Sequence, residues 1–333
     1  MIILLSVADI LQVCAEAGTI RKGETPLAGR KYGLDLGTMN IRIFQGGHGL
    51  VVYEKNMIAI QRKKEVAAIG NDAFEMYERT PASIVISNPV RDGVIADTNN
   101  MNKVAETLLK KCGCTTGFMR NNSFYLAVPS DVTEVEKRAY FDLIAHSAYN
   151  THNIFVVEKP LAAALGENVD VKSKKGMMIV DMGAGTTEIT VITMGGIVVS
   201  KLLKVGGNTI NASICQLVKE RHHLVIGDKT AEYLKLELGH AIPGQGRSKT
   251  VFGRDVITGL PSKAEVSDHL VFDSMKNYLF QVVRTIRNIM ETIPPELSGD
   301  IIENGIYFTG GTTLIPELDR LFNASLRVKV VFA

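Results

Sequence analysis

Met177-Met178-Ile179-Val180-Asp181-Met182-Gly183-Ala184-Gly185-Thr186-Thr187-Glu188-Ile189-Thr190-Val191-Ile192 decides how the chain is read. An apolar run ends at an acid, small residues and two threonines follow, and a second β-branched run begins. That is the pattern of two strands joined by a glycine turn. Gly183 and Gly185 carry no side chain, so a polyphosphate can come close enough to accept hydrogen bonds from the main-chain N–H groups of the tip. Asp181 would repel that phosphate unless a divalent cation lay between them. Taken alone, a glycine turn between strands is commonly structural.

The stretch has a twin. Tyr32-Gly33-Leu34-Asp35-Leu36-Gly37-Thr38-Met39-Asn40-Ile41-Arg42-Ile43-Phe44 repeats strand, acid, glycine turn with a hydroxyl, and strand. The two acids are 181 − 35 = 146 residues apart, about the length of one domain. Two similar domains are therefore expected, each lending a hairpin to the phosphates of one nucleotide, with a metal held through water at Asp35 and Asp181.

Other glycine turns lie downstream. Val205-Gly206-Gly207-Asn208-Thr209 stands at a strand-to-helix junction, where helix N–H groups can turn toward a phosphate. Thr309-Gly310-Gly311-Thr312-Thr313 follows the strand Ile306-Tyr307-Phe308 and offers bare backbone to an adenine or its ribose. Between them, residues 229–238 read as a helix on which Glu232 and Lys235 share a face, suited to a ribose or to an ordinary ion pair. Upstream, Asn153 to Val157 is an apolar strand ending at Glu158-Lys159-Pro160. A carboxylate at the end of a parallel strand points toward the ligand crevice of α/β sheets, which makes Glu158 the candidate for orienting an attacking water. Its structural alternative is a helix cap.

Composition sets the outer limits. With 333 residues and 46% apolar content the chain can bury about two cores. A net charge of +2 gives no global reason to expect nucleic acid. Cys14, Cys112, Cys114 and Cys215 form neither a disulfide framework nor a paired zinc motif, and ordinary reduced thiols in a cytoplasmic protein are expected. Residues 1–30 stand outside the repeat. Their apolar start is interrupted by Asp9 and lacks a basic leader, so a helix lying on a membrane or partner, or a poorly ordered extension, is expected rather than a span or a secretion signal. Phe118 and Met119, beside Arg120 in a polar loop, have the pattern of an interfacial anchor, against the alternative that they fold back onto the core. Thr133 and Glu136 have capping-box spacing. Leu270 to Thr292 is the longest helix, with Val271, Met275, Leu279, Val282, Val283, Ile286, Ile289 and Met290 assigned to the core.

At this level the three glycine motifs, at 32–38, 180–188 and 308–312, resemble the two phosphate motifs and the adenosine motif of the actin, heat-shock-chaperone and sugar-kinase superfamily. Within it, Asn88 to Asp97 (N-P-V-R-D-G-V-I-A-D), Val128 to Arg138, Glu158 to Gly166 (E-K-P-L-A-A-A-L-G) and Pro294 to Asp300 resemble the MreB/Mbl family of bacterial actin-like, rod-shape-determining proteins.

The resemblance implies an α/β, actin-like ATPase fold of two related lobes, each a mixed β-sheet flanked by helices, with a nucleotide cleft between them. The expected division is an apolar extension and linker at 1–30, lobe I at 31–170 with a small subdomain near 60–97, and lobe II at 171–333 with a small subdomain near 206–260. Lobe II is expected to stop short of the family's last elements. The resemblance further implies ATP or GTP with Mg2+, weak hydrolysis coupled to polymerisation, and filaments on the inner face of the cell membrane that organise cell-wall synthesis with membrane proteins of wall elongation. By position, Thr38, Met39, Asn40, Gly183, Ala184, Gly185, Gly206, Gly207, Glu232, Tyr233, Leu234, Lys235, Gly310, Gly311, Thr312 and Thr313 would contact nucleotide. Glu158 would act with Thr186 or Thr187 on water, and Phe118-Met119 would enter the membrane. Ala184 stands where the family usually has glycine, and Met39 where it has a small residue. The alternative is a small-molecule kinase of the same fold, against which no acidic base in a sugar-pocket motif is found.

Overall fold

The computed structural model describes residues 30–61, 65–114, 122–147, 149, 151–167, 169–244 and 246–332. The expected N-terminal anchor and Phe118-Met119 lie outside them.

The chain divides into two compact units. One holds the described residues up to Lys174 together with Thr190–Leu202, and the other holds Lys175–Ile189 and Leu203–Phe332. In the first, strands β1 (Lys31–Leu36), β2 (Asn40–Gln45) and β3 (Gly49–Lys55) form an antiparallel meander. A small sheet of order β5-β4-β6 follows, from β4 (Ile58–Gln61), β5 (Val66–Ile69) and β6 (Ile84–Ser87), with helix α1 (Asn71–Met76) between the last two. Asp92 and Gly93 take φ of 50° and 81° and join β7 (Val90–Arg91) to β8 (Val94–Ile95). Positive φ at both central residues is the hairpin turn that Asp-Gly favours.

Helix α2 (Thr98–Lys111), β9 (Asn122–Val128), α3 (Glu134–Ala145), β10 (Thr151–Glu158) and α4 (Lys159–Gly166) complete the unit. The main sheet has order β10-β9-β1-β2-β3, with β9 parallel to both β1 and β10. Alternation in β1 buries Tyr32, Leu34 and Leu36 with Met101, Leu108 and Leu109 of α2 and with Leu143 and Ile144 of α3. Tyr32 and Phe124, opposite each other in register, stack at 5.5 Å.

The same grammar recurs. Strands β11 (Met177–Met182), β12 (Thr187–Thr193) and β13 (Gly196–Leu203) succeed one another as β1 to β3 do. Helix α5 (Gly207–His222), β14 (Leu224–Val225), α6 (Asp228–Leu238), β15 (Ser248–Asp255) and β16 (Pro261–Ser267) follow, the three strands forming a sheet of order β14-β15-β16. Then come α7 (Asp268–Thr292), α8 (Pro295–Asn304), β17 (Ile306–Thr309), a 3-10 turn at Gly311–Leu314, α9 (Leu318–Leu326) and β18 (Val330–Phe332). The order β13-β12-β11-β17-β18 matches the first sheet strand for strand, and β17 is parallel to β11 and β18. The last described residues thus supply the fifth strand. Among the described residues no helix is long and apolar enough to cross a membrane.

Local rules explain the helix starts. Thr133 and Glu136 form the capping box expected of them, with Thr133 Oγ1 accepting from Glu136 N at 3.2 Å and Thr133 N donating to Glu136 Oε2 at 2.7 Å. On α7 the expected stripe is buried, apart from half-buried Met290, and Tyr278 is buried with it. Thr133→Ala is expected to lower stability by about 1 kcal/mol, seen as an earlier denaturant midpoint with an unchanged slope. Burial pushes the thiols of Cys112 and Cys114 up to about 11. Both are therefore protonated at neutral pH, and iodoacetamide should alkylate them far more slowly than free cysteine, the rate rising as pH approaches that value.

Candidate functional site

The twin hairpins close in the same way. Gly37 N donates to Asn40 O at 3.1 Å, and Gly183 N donates to Thr186 O at 2.8 Å. The offset of 146 that separates the acids also carries 37 to 183 and 40 to 186. Asn40 opens β2 on the far side of the first turn.

In each tip the carbonyls are held by neighbours. Asn56 Nδ2 donates to Gly37 O at 2.8 Å, Asn56 N to Met39 O at 2.9 Å, and Asn88 Nδ2 to Thr38 O at 3.5 Å. In the second tip Gly183 O accepts from Gly207 N at 3.1 Å and from Thr312 Oγ1 at 2.8 Å, and Ala184 O accepts from Asn208 N at 2.8 Å. In a trans peptide the N–H points opposite to the C=O. Pinning these carbonyls therefore turns the N–H groups of Thr38, Met39, Ala184 and Gly185 away from the braces, the arrangement in which successive N–H groups can receive an anion.

Residues 205–209 play a different part from the one their sequence implies. Gly206 N donates to Thr209 Oγ1 at 3.1 Å, Gly207 N and Asn208 N reach the hairpin, and Thr209 N donates to Gly206 O at 3.0 Å. At the start of α5 the N–H groups of Gly207 and Asn208 hold the hairpin and those of Gly206 and Thr209 bond to each other's residue, so all four are taken up within the protein. A Cβ on Gly206 would lie 2.6 Å from both Gly183 O and Ala184 O. At Gly310 φ is 96°, and a Cβ there would strike Asp181 and Met182 O, so only glycine fits this approach.

Beyond Gly310, Gly311 begins the 3-10 turn, and Thr313 Oγ1 donates to Gly310 O at 2.6 Å. Lys235 Nζ donates to Gly207 O at 3.2 Å, and Glu232 is half-buried on the same helix. Leu234 is fully buried and packs in the core, so its side chain lines no site, and the exposed Tyr233 ring has Lys249 Nζ 6.0 Å away.

Of the residues expected to act on water, Glu158 ends β10 and precedes α4 without capping it through its side chain. Thr187 is fully buried. Its hydroxyl donates to Val205 O at 3.0 Å and lies 2.8 Å from Tyr278 Oη. This occupation leaves half-buried Thr186 as the threonine whose hydroxyl suits that role. Burial pushes the Tyr278 phenol above its ordinary range; the bond to Thr187 opposes this and the charge of Asp181 adds to it.

Asp35 differs from its expected role. Its Oδ2 accepts from Arg42 Nη1 at 2.8 Å, and its Oδ1 lies 3.7 Å from Lys159 Nζ. Burial alone would raise its carboxyl, but Lys159 and Arg42 outweigh it and hold the group below the usual range. Among the described residues no group of three or more His, Cys, Asp or Glu side chains is arranged to hold a metal. Direct ligation of a magnesium ion by Asp35 does not fit this donor set, because a cation already faces each of its oxygens.

Two sheets of matched strand order, each carrying a braced glycine hairpin after its first strand, define the actin-like fold. The MreB/Mbl protein family matches residues 29–333, and the chain belongs to that family. It is 36% identical to the cell shape-determining protein MreB of Escherichia coli K12 over 309 residues, covering 90% of this chain and 88% of that one. To the cell shape-determining protein Mbl of Bacillus cereus it is 34% identical over 306 residues, 91% of each. MreB5 of Spiroplasma citri, solved bound to AMPPNP, superposes with a TM-score of 0.85 at 32% identity over 92% of each chain. The form bound to ADP gives 0.87.

The braces predict a local cost. Gly206→Ala is expected to destabilise the protein by on the order of 1–3 kcal/mol through overpacking against the two carbonyls. Gly299→Ala, on a helix with open space around it, should be neutral or stabilising in the same denaturation assay.

Proposed function

We propose that the chain is a nucleotide-dependent, actin-like cytoskeletal protein that assembles into filaments on the inner face of the cell membrane and helps set cell shape by organising cell-wall synthesis. The observation that carries this reading is the doubled hairpin whose carbonyls are pinned and whose N–H groups face away from the pins. Membership in the MreB/Mbl family supports it, as does the likeness to a relative solved with AMPPNP and with ADP. The nucleotide is ATP, with GTP as the second candidate.

In this reading the backbone of Thr38, Met39, Ala184 and Gly185 receives phosphate oxygens. The segment Gly310 to Thr313 lies along the nucleoside, and Glu232 and Lys235 approach the ribose. Glu158 and Thr186 orient the water that attacks the terminal phosphate, so slow hydrolysis rests on positioning and needs no covalent intermediate. Partners are further copies of the chain, the membrane surface through the N-terminal segment and Phe118-Met119, and membrane proteins of wall elongation.

Sedimentation of the full chain with and without ATP and liposomes tests the assignment. Material that pellets with ATP, and more so with liposomes, is the expected result. A protein that stays in the supernatant under every condition while transferring phosphate to a metabolite would be the kinase instead.

A further inference from the structure

We infer that Cys112 and Cys114 are the two ligands of a soft monovalent metal ion, Cu(I), where the end of α2 meets the start of β1. The inference does not depend on the nucleotide reading above.

Three features build the site. Helix α2 ends in a turn through Cys112, Gly113 and Cys114, in which Gly113 N donates to Lys110 O at 3.0 Å and Cys114 N to Leu109 O at 3.1 Å, with Gly113 at φ 68°. Being two residues apart, the cysteines have Cα atoms no more than about 7 Å from each other. Cys114 is buried in the first core and Cys112 packs against it. The Tyr32 hydroxyl in the same core is buried and has no hydrogen-bond partner, although buried hydroxyls ordinarily have one. Arg30, just before β1, donates from Nη1 to Gly113 O at 2.8 Å, which holds a guanidinium at the residue between the two sulfurs.

The same groups act on the thiols. Burial raises Cys114, and the Tyr32 hydroxyl and the Arg30 charge work against it. Burial raises Cys112, and Cys114 adds to it. No carboxylate is among the groups that shift either one.

Two soft sulfurs without a third ligand select the ion. Among the described residues no group of three or more His, Cys, Asp or Glu could hold a metal, which leaves zinc short of its tetrahedral set. Thiolates select Cu(I), and a pair of them suffices for it. Binding breaks both S–H bonds, forms a bond from each sulfur to copper and releases both protons to solvent, with no electron transferred. The product is a buried complex with a single negative charge, and Arg30 supplies the opposite one. A thiol accepts hydrogen bonds weakly, whereas a metal-bound thiolate gives the Tyr32 hydroxyl the acceptor it lacks. The Cys112 thiol now donates to Leu108 O at 3.2 Å, and that carbonyl also accepts from Cys112 N at 3.2 Å, so loss of the thiol proton strands no acceptor. A purely apolar role for the sulfurs leaves the Tyr32 hydroxyl unexplained.

The test is titration of the full chain, reduced and under nitrogen, with Cu(I) presented as its bicinchoninate complex. The chain is expected to withdraw a single ion and to show the ultraviolet sulfur-to-copper absorption of a thiolate complex. Cys112→Ser and Cys114→Ser should each abolish the withdrawal, and a chain carrying Cys14→Ser with Cys215→Ser should keep it. Tyr32→Phe should weaken it by about tenfold, as loss of a hydrogen bond to a metal ligand does. Melting curves establish that each variant is folded, and the copper-loaded wild type should melt above the free chain. A wild type that leaves the copper with the chelator, or a folded chain carrying Cys112→Ser with Cys114→Ser that withdraws it as wild type does, overturns the proposal.

Discussion

The constraint on which the rest depends is that a tight turn cannot leave its carbonyls unpaired inside a protein. Each hairpin tip meets it with partners distant in sequence: Asn56 and Asn88 for the first, and the start of α5 with Thr312 for the second. Once those carbonyls are fixed, the opposite faces of the same peptide planes are fixed too. A surface made of backbone N–H groups follows from the need to satisfy other backbone groups. Gly206 and Gly310 matter for the same reason, since any side chain at either position would push the braces off the tip.

The two halves solve this problem differently. In the second, the helix backbone of Gly207 and Asn208 and the Thr312 hydroxyl do the bracing, and Lys235 is attached to the brace at Gly207 O. In the first, buried Asn56 and half-buried Asn88 do it, and the acid at the end of the strand is matched with an arginine across the ladder. Repetition of the sheet therefore does not extend to the electrostatics. The second tip keeps an aspartate close enough to raise a buried tyrosine, whereas the aspartate of the first is ion-paired with Arg42 and Lys159.

Much of the fold is legible in the sequence because its signals are local. Apolar runs on either side of acid-glycine turns, the Asp92-Gly93 hairpin and the Thr133 capping box all act over a few residues. What is hidden is mostly non-local. Asn56 lies 19 residues from Gly37, Asn88 lies 50 from Thr38, and Lys159 lies 124 from Asp35, so nothing in a window reveals them. Arg42 is an exception: in a hairpin centred between Leu36 and Ile41, positions 35 and 42 must face each other, and that pair was there to be read. Tyr278 escaped because a helical stripe counts apolar residues, and its ring completes the stripe while its hydroxyl leaves it. The α5 start misled because a glycine turn before a helix has the same sequence whether its N–H groups meet an anion or a carbonyl.

The Tyr278 hydroxyl has a mechanical consequence. It fastens the root of the second hairpin to a helix of 25 residues, about 37 Å long at the usual rise. A load applied at Thr187 is therefore shared with a stiff rod instead of being absorbed by a loop. Movement of the turn has either to break that bond or to carry Tyr278 and its helix with it.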